Sequence, residues 1–381
     1  MLTIKPISTI AVMIRACIAA FAGISLLTAA AQAPDAAPSA DDEVQVLIFE
    51  AEQGDPHAQF LLAAHYAEGE GLPQSDTAAF DWFLMAAEQG HARAQYEVAR
   101  RYHSGKGVAE NVTKSIAWYR RSGAAGYATA YNNLGVLYFE GQGVEVDKAE
   151  AMKWYRLAAD QGSAEAQHNL GYIYDYADGV PEDNREAAKW YRLAAVQGLA
   201  MAQYALGTLY EIGEGVPADA TEASKWYRLA AEQGFAYAQY NLGVQLANGT
   251  GVEQDETEAV KWYRASAEQG YDQAQSNLGF MYEYGKGVEA DAGEALIWYQ
   301  RAAAQGNADG QFNLGAKYAQ GIGVEVNLVK ALAWMLLASA QDHAQAIDYT
   351  PRLMDVMTTA QMEAGERLAI ECFERSLEGC D

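Results

Sequence analysis

Between residues 55 and 342 the apolar positions alternate between two helical patterns. Around 128–139, Ala130, Leu134 and Tyr138 stand at i, i+4 and i+8, one face of a helix. Over 147–161, Ala151, Trp154, Tyr155, Ala158 and Ala159 fall at i, i+3, i+4, i+7 and i+8, again a single apolar stripe. Glycines and polar residues fill the stretches between. The two patterns predict a pair of helices. Small Ala and Gly positions let the helices approach closely, and Trp and Tyr fill the space between neighbouring pairs.

The pair is one unit of a strict repeat. Trp82, Trp118, Trp154, Trp190, Trp226, Trp262, Trp298 and Trp334 are each 36 residues apart, so eight tandem copies occupy residues 55–342 without insertion. Repeat 1 thus opens at Asp55, repeat 4 at Ser163 and repeat 7 at Tyr271. The same period governs Gln-Gly pairs such as Gln161-Gly162, Leu-Gly pairs such as Leu134-Gly135, and the doubled glycine of Gly141-x-Gly143-Val144. Glycine following Gln closes a helix end in the left-handed conformation, and the doubled glycine makes the tight return between the paired helices. Of 35 glycines, 29 lie in these columns, which makes an excess over the usual roughly 7% a mark of order.

Seven residues before each Trp stands Ser75, Asn111, Asp147, Asp183, Asp219, Asp255, Asp291 or Asn327, each a preferred N-cap for the second helix. Glu150, Glu186, Glu222, Glu258 and Glu294 follow three residues after five of them, the spacing of a capping box. These paired acids therefore read as helix ends and not as carboxylates for acid/base catalysis or for a divalent cation.

The string Ala-x-Ala-Gln-(Tyr/Phe)-x-Leu-Gly-x-x-Tyr-x-x-Gly-x-Gly-Val, continued by Asp-x-x-Glu-Ala-x-x-Trp-Tyr-x-x-Ala-Ala-x-Gln-Gly, resembles the Sel1-like repeat, a relative of the tetratricopeptide repeat. Ala202–Gly234 and Ala236–Gly270 match it almost column by column. The resemblance implies an all-α fold, a right-handed α/α superhelical solenoid of eight 36-residue helix pairs with terminal capping helices. It also implies a non-enzymatic role in protein–protein interaction. Departures are local: Leu62-Ala63 and Leu72-Pro73 in repeat 1, Ala177 at the first loop glycine of repeat 4, and Trp334-Met335 in repeat 8. Some exported relatives resemble penicillin-binding or β-lactam-hydrolysing proteins. Those carry a cysteine pair in each repeat, whereas no repeat here contains Cys. A structural spacer in the envelope is the other alternative.

Residues 32–54 form a linker and an N-terminal capping helix, since Ala51-Glu52-Gln53-Gly54 repeats the ending of a second helix. Residues 343–381 supply the C-terminal caps: His343-Ala344-Gln345-Ala346 starts like another first helix, the pattern lapses near Tyr349-Thr350-Pro351, and Thr358 with Gln361 opens a final helix. Residues 1–31 carry Lys5 and Arg15, no acid, and an Ala-rich apolar run from Cys17 to Ala31 ending in small residues, the layout of a secretory signal peptide. Arg15 interrupts the run, so no stable membrane span is expected after cleavage, and the mature chain is expected in the periplasm or secreted. In such an oxidising compartment Cys372 and Cys380 are expected to join as a disulfide that pins the tail.

Charge narrows the partners. With 26 Lys and Arg against 51 Asp and Glu, a net charge of -25, the chain lacks the basic footprint that nucleic acid or an anionic membrane surface requires. Four of six histidines (His57, His65, His91, His103) fall in repeats 1 and 2, yet their spacings do not stack two imidazoles on one helix face. No metal, cofactor or catalytic residue is expected, and Asn111-Val112-Thr113 and Asn248-Gly249-Thr250 match the glycosylation sequon without further meaning.

Columns that vary between copies are released from packing. On the first helix one such column contains Tyr96, His168, Tyr204, Tyr240 and Phe312, and the next contains Arg100, Tyr172 and Phe280. They lie four residues apart and share a face. As first helices line the inner surface of such solenoids, these residues are the candidate lining of a concave groove for a protein or peptide, presented by a monomer. Aromatic side chains with a polar handle suit that task. Packing of the first column between repeats is the alternative.

Overall fold

The computed structural model describes residues 40–176, 181–377 and 380; the signal peptide expected over 1–31 lies outside them. The described residues form nineteen helices and no strand. None of these helices is long and apolar enough to cross a membrane. The chain divides into two compact units, residues 1–110 and 111–381.

Repeat 5, in the second unit, shows how sequence becomes structure. Its first helix spans Ala200–Ile212 and ends on Gly213, whose φ of 80° is left-handed. Gly215 then turns the chain back: a Cβ there would fall 1.9 Å from the carbonyl oxygen of Asn184, on the second helix of the preceding repeat. Only glycine allows that approach. The second helix, Ala220–Glu232, starts at Asp219, whose carboxylate accepts the backbone N–H groups of Thr221 and Glu222 at 3.0 Å. All eight predicted second-helix N-caps make such a bond. The glutamates three residues on differ from expectation. Glu150, Glu186 and Glu222 pair with Lys153, Lys189 and Lys225 one turn along, and Glu258 pairs with Arg228, because a long opposite charge nearby is a better partner for an exposed carboxylate than the cap's own N–H. A true capping box forms only at Thr358 and Gln361 among the described helices.

In repeats 3 to 6 the core aromatic is the tyrosine of the Trp-Tyr pair, and in repeats 2 and 7 both rings are buried. Tyr191, Tyr227 and Tyr299 are fully buried, while Trp226 is only half-buried. Each tyrosine ring explains a glycine: a Cβ on Gly207 would come within 2.8 Å of Tyr227, and Gly171, Gly243 and Gly279 stand in the same relation to Tyr191, Tyr263 and Tyr299. The buried hydroxyls donate to acids at the end of the first helix, Tyr191 to Asp175 at 3.2 Å, Tyr227 to Glu211 at 2.7 Å and Tyr299 to Glu283 at 2.8 Å. Burial pushes the ionisation of these phenols far above its ordinary range, so they remain donors. Trp154 and Trp190 lie nearer the surface, with Arg120 over Trp154 at 5.0 Å and Arg156 over Trp190 at 4.7 Å, whereas Trp118, Trp298 and Trp334 are buried.

Glutamines tie the two helices of a repeat to each other and to the repeat before. Gln203 Nε2 donates to the carbonyl of Ala195 at 3.1 Å, and Gln233 Nε2 donates to Gln203 Oε1 at 2.7 Å. The same ladder joins Gln197 to Gln167, Gln269 to Gln239, Gln305 to Gln275 and Gln341 to Gln311. Within the first unit it joins Gln89 to Gln59. That unit also holds the capping helix Ala40–Glu52 and a buried Arg101, which lies 3.3 Å from the Asp76 carboxylate.

At the C-terminal end, Ala344–Met354 continues through Pro351, where the sequence pattern suggested a lapse, and Thr359–Glu374 packs against the second helix of repeat 8. Cys372 and Cys380 are joined by a disulfide, with Cα atoms 5.5 Å apart.

Candidate protein-binding face

The variable columns sit at two depths. His168, Tyr204 and Tyr240 are half-buried, each leaning on the core tyrosine of its own repeat: His168 on Tyr191 at 5.5 Å, Tyr204 on Tyr227 at 5.8 Å and Tyr240 on Tyr263 at 6.0 Å. They share in the packing between helices while keeping one edge outward. Burial holds His168 below its usual pKa, so its imidazole is neutral near pH 7. The second column stands further out. Tyr172 and Phe280 are each 41% exposed, and each meets a tyrosine one turn along at 4.6 Å, Tyr172 stacking on Tyr176 and Phe280 lying tilted against Tyr284. Phe312, in repeat 8, stacks on His343 at 4.9 Å and meets Tyr349 edge-on, closing the aromatic series against the C-terminal cap. Tyr96 and Arg100 belong to the first unit; there Arg100 lies over the Tyr96 ring at 5.8 Å and pairs with Glu97.

In repeats 4 to 7 the structure adds residues that the variable columns did not include. Phe235, Tyr237 and Tyr271 extend the aromatic surface from Tyr204 to Tyr240. Centroid separations are 5.3 Å for Tyr204–Phe235, 5.6 Å for Phe235–Tyr237, 4.9 Å for Tyr237–Tyr271 and 5.1 Å for Tyr240–Tyr271. Tyr237 is 48% exposed. Burial, with Tyr240 and Tyr204 close by, pushes the Tyr271 phenol up to about 12, so it is a hydrogen-bond donor at any physiological pH.

Phe235 and Tyr271 occupy the N-cap of their first helices. In that column Asp55, His91, Ser163, Asn307 and His343 accept a backbone N–H with their side chains. Tyr127 in repeat 3, and Leu199, Phe235 and Tyr271 in three consecutive repeats, make no side-chain cap bond. An uncapped helix start forgoes about 1 kcal/mol. The sequence signal was available: these residues break the cap preference that the second helices keep without exception.

Beside this wall a cleft of about 360 Å³ opens between the first helices of repeats 4 and 5, with Tyr172, Tyr176 and Tyr204 on its sides, Tyr191 and Leu209 below, and the carboxylates of Asp175 and Glu214 at its edge. Burial, followed by the nearby charges of Glu214 and Glu182, raises the Asp175 carboxyl above its ordinary range. The four histidines of repeats 1 and 2 are not gathered into one site: His57 and His91 have ring centroids 5.9 Å apart, but His91 Nδ1 accepts the Ala94 N–H and His65 Nδ1 contacts the Glu70 carbonyl. Among the described residues no group of three or more His, Cys, Asp or Glu side chains is placed to hold a metal ion.

Comparison with known proteins gives this face a family. Two solved structures are similar in fold and sequence. A Sel1 repeat protein from Oxalobacter formigenes is 30% identical, with 85% of this chain and 98% of that one covered and a TM-score of 0.61. A protective antigen with an SLR fold, present in uropathogenic Escherichia coli strains, is 29% identical over 88% of this chain and 96% of that one, with a TM-score of 0.53. No curated protein matches. The Sel1 repeat model matches eight consecutive segments, 56–91, 92–127, 128–163, 164–199, 200–235, 236–271, 272–307 and 308–343, and with these eight matches the chain belongs to the Sel1 repeat family.

Proposed function

We propose that this protein is an exported, non-enzymatic scaffold that holds an extended segment of a protein partner along the first helices of repeats 4 to 7, in cell-envelope signalling or assembly. Sel1 repeat proteins are generally protein-interaction scaffolds. The observation that carries the reading for this chain is the run of Leu199, Phe235 and Tyr271. Three successive helices give up a stabilising cap, and two of the replacements join a half-exposed aromatic wall with Tyr204, Tyr237 and Tyr240. Local stability is surrendered where a surface serves something other than the fold. Rigid aromatic side chains also give contact area at small entropic cost. The net charge of -25 favours a partner with basic segments and makes association salt-sensitive, because screening acts beyond about 8 Å at physiological ionic strength.

The test is the double substitution Tyr172→Ala with Phe280→Ala. Partner capture from intact cells by cross-linking should be lost, with little change in melting temperature, because both rings are half in solvent. Unfolding of the double variant would assign these columns to the core, and undiminished capture would remove them from the binding face. For export, N-terminal sequencing of the chain recovered outside the cytoplasm should begin at Gln32; a chain beginning at Met1 would contradict cleavage after Ala31.

A further inference from the structure

The cleft between repeats 4 and 5 has a chemistry of its own, and repeat 7 supplies its internal control. Repeat 7 presents Phe280 and Tyr284 in the columns that hold Tyr172 and Tyr176 in repeat 4, with the same 4.6 Å ring spacing. There the protein covers the ring with its own cation: Lys286 Nζ lies 5.3 Å from the Phe280 centroid. The pattern is general in this molecule, with Arg93 over Phe60, Arg192 over Tyr210 and Arg264 over Tyr282. In repeat 4, however, the column of Lys286 holds Asp178, itself outside the described residues. Among the described residues no Lys or Arg lies over Tyr172 or Tyr176, and none lines the cleft. Tyr176 is 66% exposed.

Two carboxylates line the cleft with this ring pair. Asp175 is half-buried and accepts the Tyr191 hydroxyl at 3.2 Å, while Glu214 is exposed and receives the Asn184 amide at 3.3 Å. The two repel one another, and a cation between them would relieve that repulsion. The volume of about 360 Å³ corresponds to roughly a dozen waters, space for one long side chain entered from an extended strand.

We propose that this cleft seats an arginine side chain of the partner segment, its guanidinium stacked on the Tyr172–Tyr176 pair and paired with the carboxylates of Asp175 and Glu214. Arginine fits better than lysine because a planar, weakly hydrated guanidinium stacks on a ring and meets carboxylates with a fork of donors at once. The inference rests on the scaffold reading and names the anchor chemistry within it.

The experiment uses the mature chain labelled with 3-fluorotyrosine, the Tyr172 and Tyr176 resonances being assigned with Tyr→Phe variants. The probe is a synthetic Gly-Ser dodecapeptide carrying one central Arg, compared with its citrulline counterpart. The Arg peptide should give saturable shifts confined to the cleft tyrosines, at least about fivefold tighter than citrulline, which keeps the shape and loses the charge. Asp175→Asn, which leaves the Tyr191 hydroxyl an acceptor, should weaken the Arg peptide at least about fivefold and leave the citrulline peptide unchanged. If Asp175→Asn does not fold, Glu214→Gln on the exposed carboxylate gives the same discrimination. Equal affinity of the two peptides, or Arg binding insensitive to both substitutions, overturns the proposal. If the Arg peptide fails while a partner still cross-links to position 237, only the anchor chemistry falls. If the Arg peptide binds but no partner cross-links there, the scaffold reading falls and the guanidinium site stands.

Discussion

First and second helices keep the rule for starting a helix to different extents along the array. Every second helix starts on Ser, Asn or Asp with its side chain bonded into the first turn. First helices keep that device at Ser163 and Asn307 but lack it at Tyr127, Leu199, Phe235 and Tyr271. A side-chain cap would stabilise either start by about 1 kcal/mol, so its loss in first helices alone points to a difference of duty. Second helices carry the architecture. On the proposed scaffold reading, first helices in the middle of the array carry a surface, and Phe235 and Tyr271 are part of it.

The largest effect expected on the architectural side is at Tyr227. Tyr227→Ala should cost about 3–5 kcal/mol in denaturant unfolding, through the cavity left against Gly207, and clearly more than Trp226→Ala, since the tryptophan is half-buried. Equal costs would return the core role to the tryptophan column. Next comes the glutamine ladder: Gln233→Ala leaves the buried Gln203 Oε1 without its partner at 2.7 Å and should cost roughly 1–3 kcal/mol by the same measurement. The helix starts give a matched pair. Asp219→Ala should cost about 1 kcal/mol and leave partner capture intact. Tyr237→Ala should cost about 1 kcal/mol or less and abolish capture, being a half-exposed ring without a cap to lose.

The smallest effect concerns pH. His91 caps its helix with Nδ1, which accepts only when unprotonated, and burial followed by His57 and Arg93 lowers its pKa below the ordinary 6.5. A depressed folded-state pKa contributes stability that is fully present above 6.5 and is lost as pH falls through the lower folded value. Protection factors for hydrogen exchange of Ala92–Ser104, which divide out the intrinsic pH dependence of amide exchange, should therefore fall on mild acidification, and His91→Asn, which caps without titrating, should flatten that response. An unchanged response in His91→Asn would assign the pH dependence elsewhere.

The fold was legible because a repeat performs the same structural work eight times: the Leu-Gly, Trp-Tyr and second-helix cap columns announce their roles by recurrence. What stayed hidden was pairing in space. Constancy of Gln203 and Gln233 marked helix positions without revealing that the two side chains bond across 30 residues. Trp drew attention by size, but the glycine opposite Tyr227 determines which ring enters the core. For the candidate face, the columns of Tyr204 and Tyr172 are visible as variation. Phe235, Tyr237 and Tyr271 are not, because the column of Phe235 and Tyr271 falls at the helix boundary, outside the helical pattern. Their proximity to Tyr204 and Tyr240 depends on the stacking of adjacent repeats.

The most direct measurement of the central claim compares two positions of matched exposure, Tyr237 on a first helix, 48% exposed, and Leu229 on a second helix, 43% exposed. With a photoreactive benzoylphenylalanine placed at each in cells producing the protein, position 237 should yield a discrete cross-linked partner whose attachment maps to one basic, extended segment, and position 229 should not. A discrete adduct from 229 with none from 237 would contradict the assignment of partner binding to the first-helix face.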